Sequence, residues 1–353
     1  MKFALIFFFI LVAGFTVIGQ SAPLTQAEYV KLLYSLQKTP VVRQEIIDAV
    51  RKRGIGFVLT DGIRGLTKSK AGNSEELQRA LEEANRRRQN PQAAQLPTNT
   101  EAIATLERAR KNTLEAVAEM PDFVVKQLIQ RSWAFAGTNN FKNLDRLVVA
   151  VSYRSTGEED YRVLSTNGIV NNDPKPKQSY EDVGGTSSTG EFVTMLATVF
   201  KPESETKFDL VDTDLIRTRR SIVFEFSVTK DKAKQMITSA GRVTSDSTIS
   251  GMKGRVWIDR ETARILRVES EATEIPDAFP IRSAKRIIDY DWVTITDGKY
   301  LLPSVSDVRL TSREGSQLFE TRNVIRFKEY QKYGTDVVIR DDDIDPEPAV
   351  KKP

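Results

Sequence analysis

The segment GRVWIDRETARILRVESE, residues 254–271, decides the fold. Two apolar runs, 256–258 and 265–268, flank a short polar loop that begins with Asp259. Asp is favoured at the first position of a tight turn, so this arrangement predicts a β-hairpin. The returning run alternates apolar and charged residues, as a strand with one buried and one solvated face does. We therefore expect an antiparallel sheet.

Similar strand patterns surround this hairpin on both sides. The predicted strands are residues 123–131, 147–153, 161–164, 222–228, 287–295, 299–311 and 317–329. One long amphipathic segment, residues 101–119, carries Ile103, Leu106, Leu114 and Val117 on one face. It precedes these strands and ends at Met120-Pro121, where proline stops a helix. The pattern predicts an α+β fold in which an antiparallel β half-barrel packs on this helix.

The N-terminal part of the chain is predicted to be a small helical module, residues 20–90. Thr25 and Glu28 have the spacing of a capping box, and apolar residues follow at helical intervals. Residues 91–99 contain Pro, Gln and Asn but no charge, which is typical of a linker. We expect the β domain to span residues 100–335. An acidic tail, residues 336–353, is predicted to be disordered.

Residues 1–19 have the features of a secretory signal peptide. Lys2 precedes an apolar run, and Val17 and Gly19 are small enough to precede a cleavage site before Gln20. We expect a periplasmic or secreted protein with no transmembrane span in the mature chain. The alternative is that this segment remains as an uncleaved anchor.

The chain contains no Cys and no His. These absences exclude disulfides, a Ser-His-Asp triad, a Cys-His nucleophile and a typical zinc site. The sequence therefore favours a protein that is not an enzyme, with no metal site and no cofactor. A hydrolase that uses carboxylates is a less favoured alternative, since Asp289 with Asp291, and Glu269 with Glu271, share strand faces.

Two groups of residues resemble known families. Residues 254–269, together with Tyr290-Asp-Trp292 and Leu302-Pro303, resemble the C-terminal strands of LolA/LolB-type lipoprotein carriers. That resemblance implies an incomplete antiparallel barrel with helices on its concave face. Residues 120–123, Gln127, Arg131 and residues 190–192 are similar to uncharacterised bacterial exported proteins, in which a helical module often precedes the β domain.

One set of apolar residues is expected to share a single strand face and to form the ligand-binding site. These residues are Phe224, Phe226, Leu266, Val268, Ile288, Tyr290, Trp292, Phe319, Ile325 and Phe327. In a half-barrel this face is concave, so it predicts a carrier for an apolar ligand, either lipid or the acyl chains of a lipoprotein. The assignment holds only if no bulge shifts a strand by one residue.

The second hypothesis is an envelope interaction or scaffold protein whose concave face is an ordinary core filled by residues 101–119. The helical module 20–90 would then dock an envelope protein. This module carries 13 Lys and Arg against 8 Asp and Glu, a balance of +5. Nucleic acid is not an expected partner of an exported protein.

Overall fold

The computed structural model describes residues 22–36, 42–72, 74–91, 95–138, 140–171, 183–240, 245–335, 337, 339–340 and 343. The chain divides into two compact units, Met1–Ala93 and Ala94–Pro353. The predicted signal peptide lies outside the described residues. Across the described ranges, no helix is both long and apolar enough to cross a membrane.

The first unit contains four helices: α1 (Gln26–Ser35), α2 (Val42–Arg53), α3 (Asp61–Lys70) and α4 (Glu75–Gln89). The capping box predicted at Thr25 and Glu28 is present, with both reciprocal hydrogen bonds. Tyr29 is fully buried, and its hydroxyl lies 2.9 Å from that of Thr67. Burial raises the pKa of Tyr29 to about 12. The unit therefore has a core of its own, formed by apolar residues of α1 to α4.

The described part of the second unit contains the sheet, three further α-helices and one short 3-10 helix, Pro202–Ser204. The helices are α5 (Asn99–Ala118), α6 (Thr194–Phe200) and α7 (Lys230–Ala233). The strands are β1 (Phe123–Phe135), β2 (Lys142–Tyr153), β3 (Glu159–Thr166), β4 (Ile169–Val170), β5 (Lys207–Ile216), β6 (Arg219–Val228), β7 (Gln235–Ala240), β8 (Ser245–Asp259), β9 (Ile265–Thr273), β10 (Ile281–Ile295), β11 (Gly298–Glu314) and β12 (Gln317–Lys332).

These strands form one antiparallel sheet with the order β4-β3-β2-β1-β12-β11-β10-β9-β8-β6-β5, and β7 extends it by pairing with β8. Strands that follow each other along the chain mostly pair through hairpins, whereas β1 pairs with β12. In the described residues β4 and β5 stand at opposite ends of this order, so the sheet stays open. The predicted α+β half-barrel is confirmed.

One face of the sheet, the inner face, packs against α5 and α6. Apolar residues of β5, β6, β8, β9 and β10 form one cluster with these helices. A second cluster lies over β1, β2, β11 and β12 and includes Phe192, just before α6. The inner face is therefore covered by protein side chains over both halves of the sheet.

The buried side of α5 differs from its predicted side. The buried residues are small, namely Ala102, Thr105, Ala109 and Thr113, and they repeat at intervals of three or four. Leu106, Leu114 and Val117 are only partly buried, and Ile103, predicted to face inward, is exposed. Because Ala contributes little to an apolar pattern, the sequence predicted that a neighbouring stripe of larger apolar residues would be the buried side. The helix begins at Asn99, the last residue of the predicted linker.

The opposite, outer face of β1 carries a fully buried Lys126. Its ammonium lies 2.5 Å from Asp343 and 3.1 Å from Glu329. Val337 and Ile339 pack beside it on an apolar cluster of β2 and β3. The tail 336–353 was predicted to be disordered, yet these three tail residues make defined contacts, because a buried ammonium requires a carboxylate partner. Residues 336, 338, 341–342 and 344–353 lie outside the described residues.

Candidate functional site

Five of the ten predicted site residues come together on the inner face. They are Phe224, Phe226, Val268, Ile288 and Tyr290, all at most 4% exposed and packed against α5 and α6. Ile325 and Phe327 also point to the inner face, in the neighbouring cluster around Phe192. The structure therefore places seven of the ten residues in the two buried clusters of the predicted face.

Leu266 lies on the outer face instead. The register of β8 and β9 shifts between Trp257 and Ile258, so that Ile258 pairs with Ile265 rather than with Leu266. This bulge turns Ile265 inward and leaves Leu266 in an outer cluster with Trp257. A single extra residue in a strand moves the following side chains to the opposite face of the sheet. The alternation of apolar residues in the sequence does not reveal such a bulge.

Two other predicted residues lie at the margins of the sheet. Trp292 is 47% exposed and faces the guanidinium of Arg264, whose Cζ lies 5.9 Å from its ring centroid. Phe319 packs against Phe135 at 5.3 Å and Trp133 at 6.1 Å, at the far ends of β1 and β12. Neither residue belongs to the cluster beneath α5.

Helix α5 is tied to the turn between β8 and β9. Arg260 in this turn forms a bidentate ion pair with Glu101 at 2.6 and 2.9 Å. Asn112 donates to the carbonyls of Thr262 and Ala263, and Arg264 donates to the carbonyl of Asn112. The hairpin that decides the fold thus also holds the helix against the inner face.

A segment that we call the inner segment, residues 183–193, crosses the inner face before α6. Its carbonyl oxygens accept hydrogen bonds from side chains of three strands: Arg131 to Gly184 at 2.5 Å, Asn323 to Thr186 at 2.6 Å and Arg286 to Thr189 at 3.1 Å. The guanidinium of Arg131 also pairs with Asp145. These bonds hold in place a segment whose own backbone forms neither a strand nor a helix.

Glycine and phenylalanine residues fit the inner segment to the sheet. Gly185 has φ +78°, and a Cβ there would lie 2.9 Å from Arg131 Nη1, so only glycine suits this position. At the other end Phe192 packs edge-on against Phe123 and Phe327, at centroid distances of 5.2 and 5.6 Å. The segment is therefore anchored at both ends.

Three polar side chains on or beneath the inner segment are fully buried and incompletely bonded. They are Gln127 of β1, Ser306 of β11 and Glu191 of the inner segment itself. Neither amide atom of Gln127, nor Ser306 Oγ, nor Glu191 Oε2 has a hydrogen-bond partner among the described residues. The other carboxyl oxygen of Glu191 accepts from Ser188. Such atoms cost about 1–3 kcal/mol each when no partner is supplied.

Strand register places Gln127 and Ser306 on either side of β12. Gln127 pairs with Phe327, and Ser306 pairs with Ile325, two residues along the same strand. Glu191 lies near the same strands, because its backbone carbonyl accepts a hydrogen bond from the Tyr290 hydroxyl at 3.4 Å. Tyr290 is two residues along β10 from Ile288, which pairs with Ser306. We call Gln127, Glu191 and Ser306 the inner polar cluster.

The surroundings of this cluster are poorly hydrated. Burial raises the pKa of Tyr290 and of Tyr330, and repulsion from Glu191 makes a smaller contribution to both shifts. Burial also raises the pKa of Glu159, and repulsion from Glu191 adds to the shift, although Tyr161 and the Gly190 N–H donate to this carboxyl group. A carboxyl group placed here therefore disfavours a second negative charge.

The sequence singled out part of this cluster without giving it a role. Gln127, Arg131 and residues 190–192 were noted only as part of a resemblance. Ser306 was missed, because a serine inside a predicted strand is unremarkable. A usable signal was present, since Gln127 has the same parity along β1 as the inward apolar residues Val125 and Ile129.

Three of the four acidic residues considered for catalysis are engaged in ion pairs. Asp289 forms two bonds with Arg267 at 2.6 and 2.8 Å, and Asp291 lies 3.2 Å from Arg217. Glu271 lies 3.8 Å from Lys253. Among the residues that the structure describes, no group of three or more acidic side chains could hold a metal ion.

Comparisons with solved structures find matches at low sequence identity and low TM-score. A LolA superfamily protein from Nitrosomonas europaea is 11% identical, with a TM-score of 0.29, and the match covers 64% of this chain and 94% of that one. A DUF1329 family protein from Desulfovibrio piger is 13% identical, with a TM-score of 0.27 and coverage of 69% and 96%. The MucA/MucB complex of Pseudomonas aeruginosa gives 9% identity and a TM-score of 0.17, with coverage of 62% and 94%.

No family model matches the chain. No curated protein matches it either.

Proposed function

We propose that this protein is a non-catalytic periplasmic or secreted binding protein that carries an apolar ligand, lipid or lipoprotein acyl chains, on its inner face. The ligand would lie between α5 and the strands that carry Phe224, Phe226 and Tyr290. These aromatic and aliphatic side chains offer the kind of surface that binds acyl chains.

The observation that carries this proposal is the composition of the buried side of α5. Burying an Ala contributes less transfer free energy than burying a Leu, because less apolar surface leaves water. A helix whose fully buried residues are Ala102, Thr105, Ala109 and Thr113, and whose Leu106, Leu114 and Val117 are only partly buried, is therefore held less strongly by apolar contact than a helix with fully buried leucines. Its polar bonds to the β8–β9 turn would keep it attached while it moves aside for a ligand.

Native mass spectrometry of the purified full chain tests this proposal. We expect co-purified lipid with the wild type and none with Phe226→Arg, which places a charge on the inner face. Leu266→Ala is the matched control, because Leu266 is as buried as Phe226 but lies on the outer face. It should retain lipid although it loses about 2–5 kcal/mol of stability.

A filled core is the competing interpretation, and a specific observation favours it. Phe200 stacks on Phe208 at 5.7 Å, and Phe208 lies 6.4 Å from Phe226, so aromatic side chains of the protein already cover this part of the inner face. In that case Phe226→Ala should cost about 3–5 kcal/mol, and no lipid should be detected with any variant. The scaffold function, with a partner docked on the module 20–90, would then replace the carrier.

A further inference from the structure

We propose that the inner polar cluster, Gln127, Glu191 and Ser306, binds the hydroxyl-bearing head group of an amphipathic ligand. This inference rests on the proposed function, because the apolar part of the same ligand would lie on the inner face. It adds the chemical class of the ligand.

The three side chains are incompletely bonded inside a covered face. Gln127, Glu191 and Ser306 are each at most 1% exposed, and four of their polar atoms lack a partner among the described residues. Buried polar atoms in native proteins are nearly always bonded to protein, water or ligand. A group of this kind next to an apolar surface is typical of ligand sites, where a few polar groups orient the bound molecule.

The unbonded atoms define which head group fits. Gln127 offers a donor and an acceptor, Glu191 Oε2 can only accept while ionised, and Ser306 can do either. A hydroxyl group both donates and accepts, so a head group with two or more hydroxyls matches the mixture of donors and acceptors that these atoms offer. An ammonium group has no hydrogen-bond acceptor, so it cannot bond to the N–H groups of the Gln127 amide.

Charge excludes the anionic head groups. Burial raises the pKa of Glu159, and repulsion from Glu191 adds to this shift. Arg131, which could otherwise attract a phosphate, is bound by both carboxylate oxygens of Asp145. Arg286 is the cation beside the two acids, and one of its nitrogens donates to Thr189. A carboxylate or phosphate would therefore add negative charge to a buried region that disfavours it.

The test compares two lipids with the same acyl chain and different head groups. Delipidated full-length protein is titrated with 1-monooleoylglycerol, which has two free hydroxyls, and with oleate, which is anionic. We expect the wild type to bind the monoacylglycerol at least about tenfold more tightly. Gln127→Leu and Glu191→Gln should remove most of that preference, since a lost bond to a charged or buried group changes affinity by about tenfold.

Gln130→Leu is the matched control. Gln130 lies on the same strand but faces outward, where its amide donates to Asn143 at 3.0 Å. This variant should keep the lipid preference of the wild type.

A stability measurement on the lipid-free variants separates a ligand site from a structural role. Replacing an unpartnered buried amide by Leu should leave the melting midpoint unchanged or raise it by about 2–4 °C. A fall in the melting midpoint of Gln127→Leu would mean that Gln127 supports the fold, and the inference would be wrong.

The remaining outcomes are also distinct. Equal affinity for the two lipids, unaffected by the variants, would overturn the head-group site and leave the apolar carrier intact. Failure of the wild type to bind either lipid would overturn the proposed function and this inference together.

Discussion

Asp259 shows how one residue can organise a turn. Its carboxyl group accepts from the backbone N–H groups of Glu261 and Thr262 at 3.0 and 2.9 Å, and also from the guanidinium of Arg219. Burial acts most strongly on this carboxyl group and would raise its pKa. The three hydrogen bonds together outweigh burial, so the pKa is lowered below its usual value of 3.8.

Replacing Asp259 with Asn should destabilise the protein by about 1.5–3 kcal/mol at neutral pH, because bonds to a charged acceptor are lost. An acid with a lowered pKa in the folded state stabilises that state above its unfolded pKa, and this contribution disappears as the pH falls. The difference in unfolding free energy between wild type and Asp259→Asn should therefore shrink below about pH 3.8. Denaturant unfolding across pH measures it.

Asp277→Asn is the control for this experiment. Asp277 also pairs with an arginine, Arg282, near a turn of the sheet, but its side chain is fully exposed. Its replacement should change stability little at any pH, since exposed ion pairs contribute about 0–1 kcal/mol. An equal loss in both variants would contradict the role given to burial of Asp259.

Among the elements, α5 is the one whose attachment to the sheet matters most for the proposed carrier function. Its polar bonds are concentrated on the β8–β9 turn, and its buried side chains are small. These two features suit an element that opens locally without unfolding the sheet, because local opening requires few apolar contacts to be broken.

Loosening α5 at its turn should therefore affect the helix alone. Arg260→Met, which removes the ion pair with Glu101, should lower global stability by no more than about 1 kcal/mol, since both side chains are partly exposed. Hydrogen exchange of the α5 amides should nevertheless become faster than in the wild type, while exchange in β8 to β12 stays unchanged.

Arg282→Met serves as the control, because Arg282 is as exposed as Arg260 and its ion pair, with the exposed Asp277, does not touch α5. It should leave exchange in α5 unchanged. If exchange in α5 and in the sheet accelerates together in Arg260→Met, then α5 belongs to the same cooperative unit as the sheet. It would not act as a separate cover for a ligand.

The whole molecule is organised as two compact units, with the boundary near Ala93 and Ala94. Each unit has its own buried apolar cluster, which is the property expected of an independently folding domain. The proposed domain boundaries can therefore be tested by separating the units.

A fragment of residues 95–343 should fold without the helical module and unfold in one cooperative transition. It retains Thr98, whose side chain caps α5 at 3.2 Å, and Asp343, the partner of Lys126. Calorimetry or circular dichroism measures the transition. A fragment that aggregates or melts without cooperativity would contradict the proposed boundary.

A shorter fragment, residues 95–335, tests the tail. It lacks Asp343 and leaves the buried ammonium of Lys126 with Glu329 alone, at 3.1 Å. Breaking a buried pair completely costs about 3–5 kcal/mol, so the loss should be appreciable but smaller than this range. Equal stability of the two fragments would mean that the tail contributes nothing to the fold.

The sequence alone determined the class of the fold and most of its elements. Alternating apolar residues predict strands because only one face of each strand is buried, and the turn at Asp259 and the caps of α1, α3 and α4 depend on residues close in the chain. Seven of the ten residues predicted to face inward lie in the two inner clusters, as the same alternation predicts.

The tertiary structure decided what depends on contacts between distant residues. A bulge turned Leu266 outward, a stripe of small residues rather than Ile103 became the buried side of α5, and Asp343 in an acidic tail paired with Lys126. The inner polar cluster also belongs here, since its three residues come from β1, β11 and the inner segment. Facing, burial and charge pairing across a sheet are set by register and packing, which no local pattern encodes.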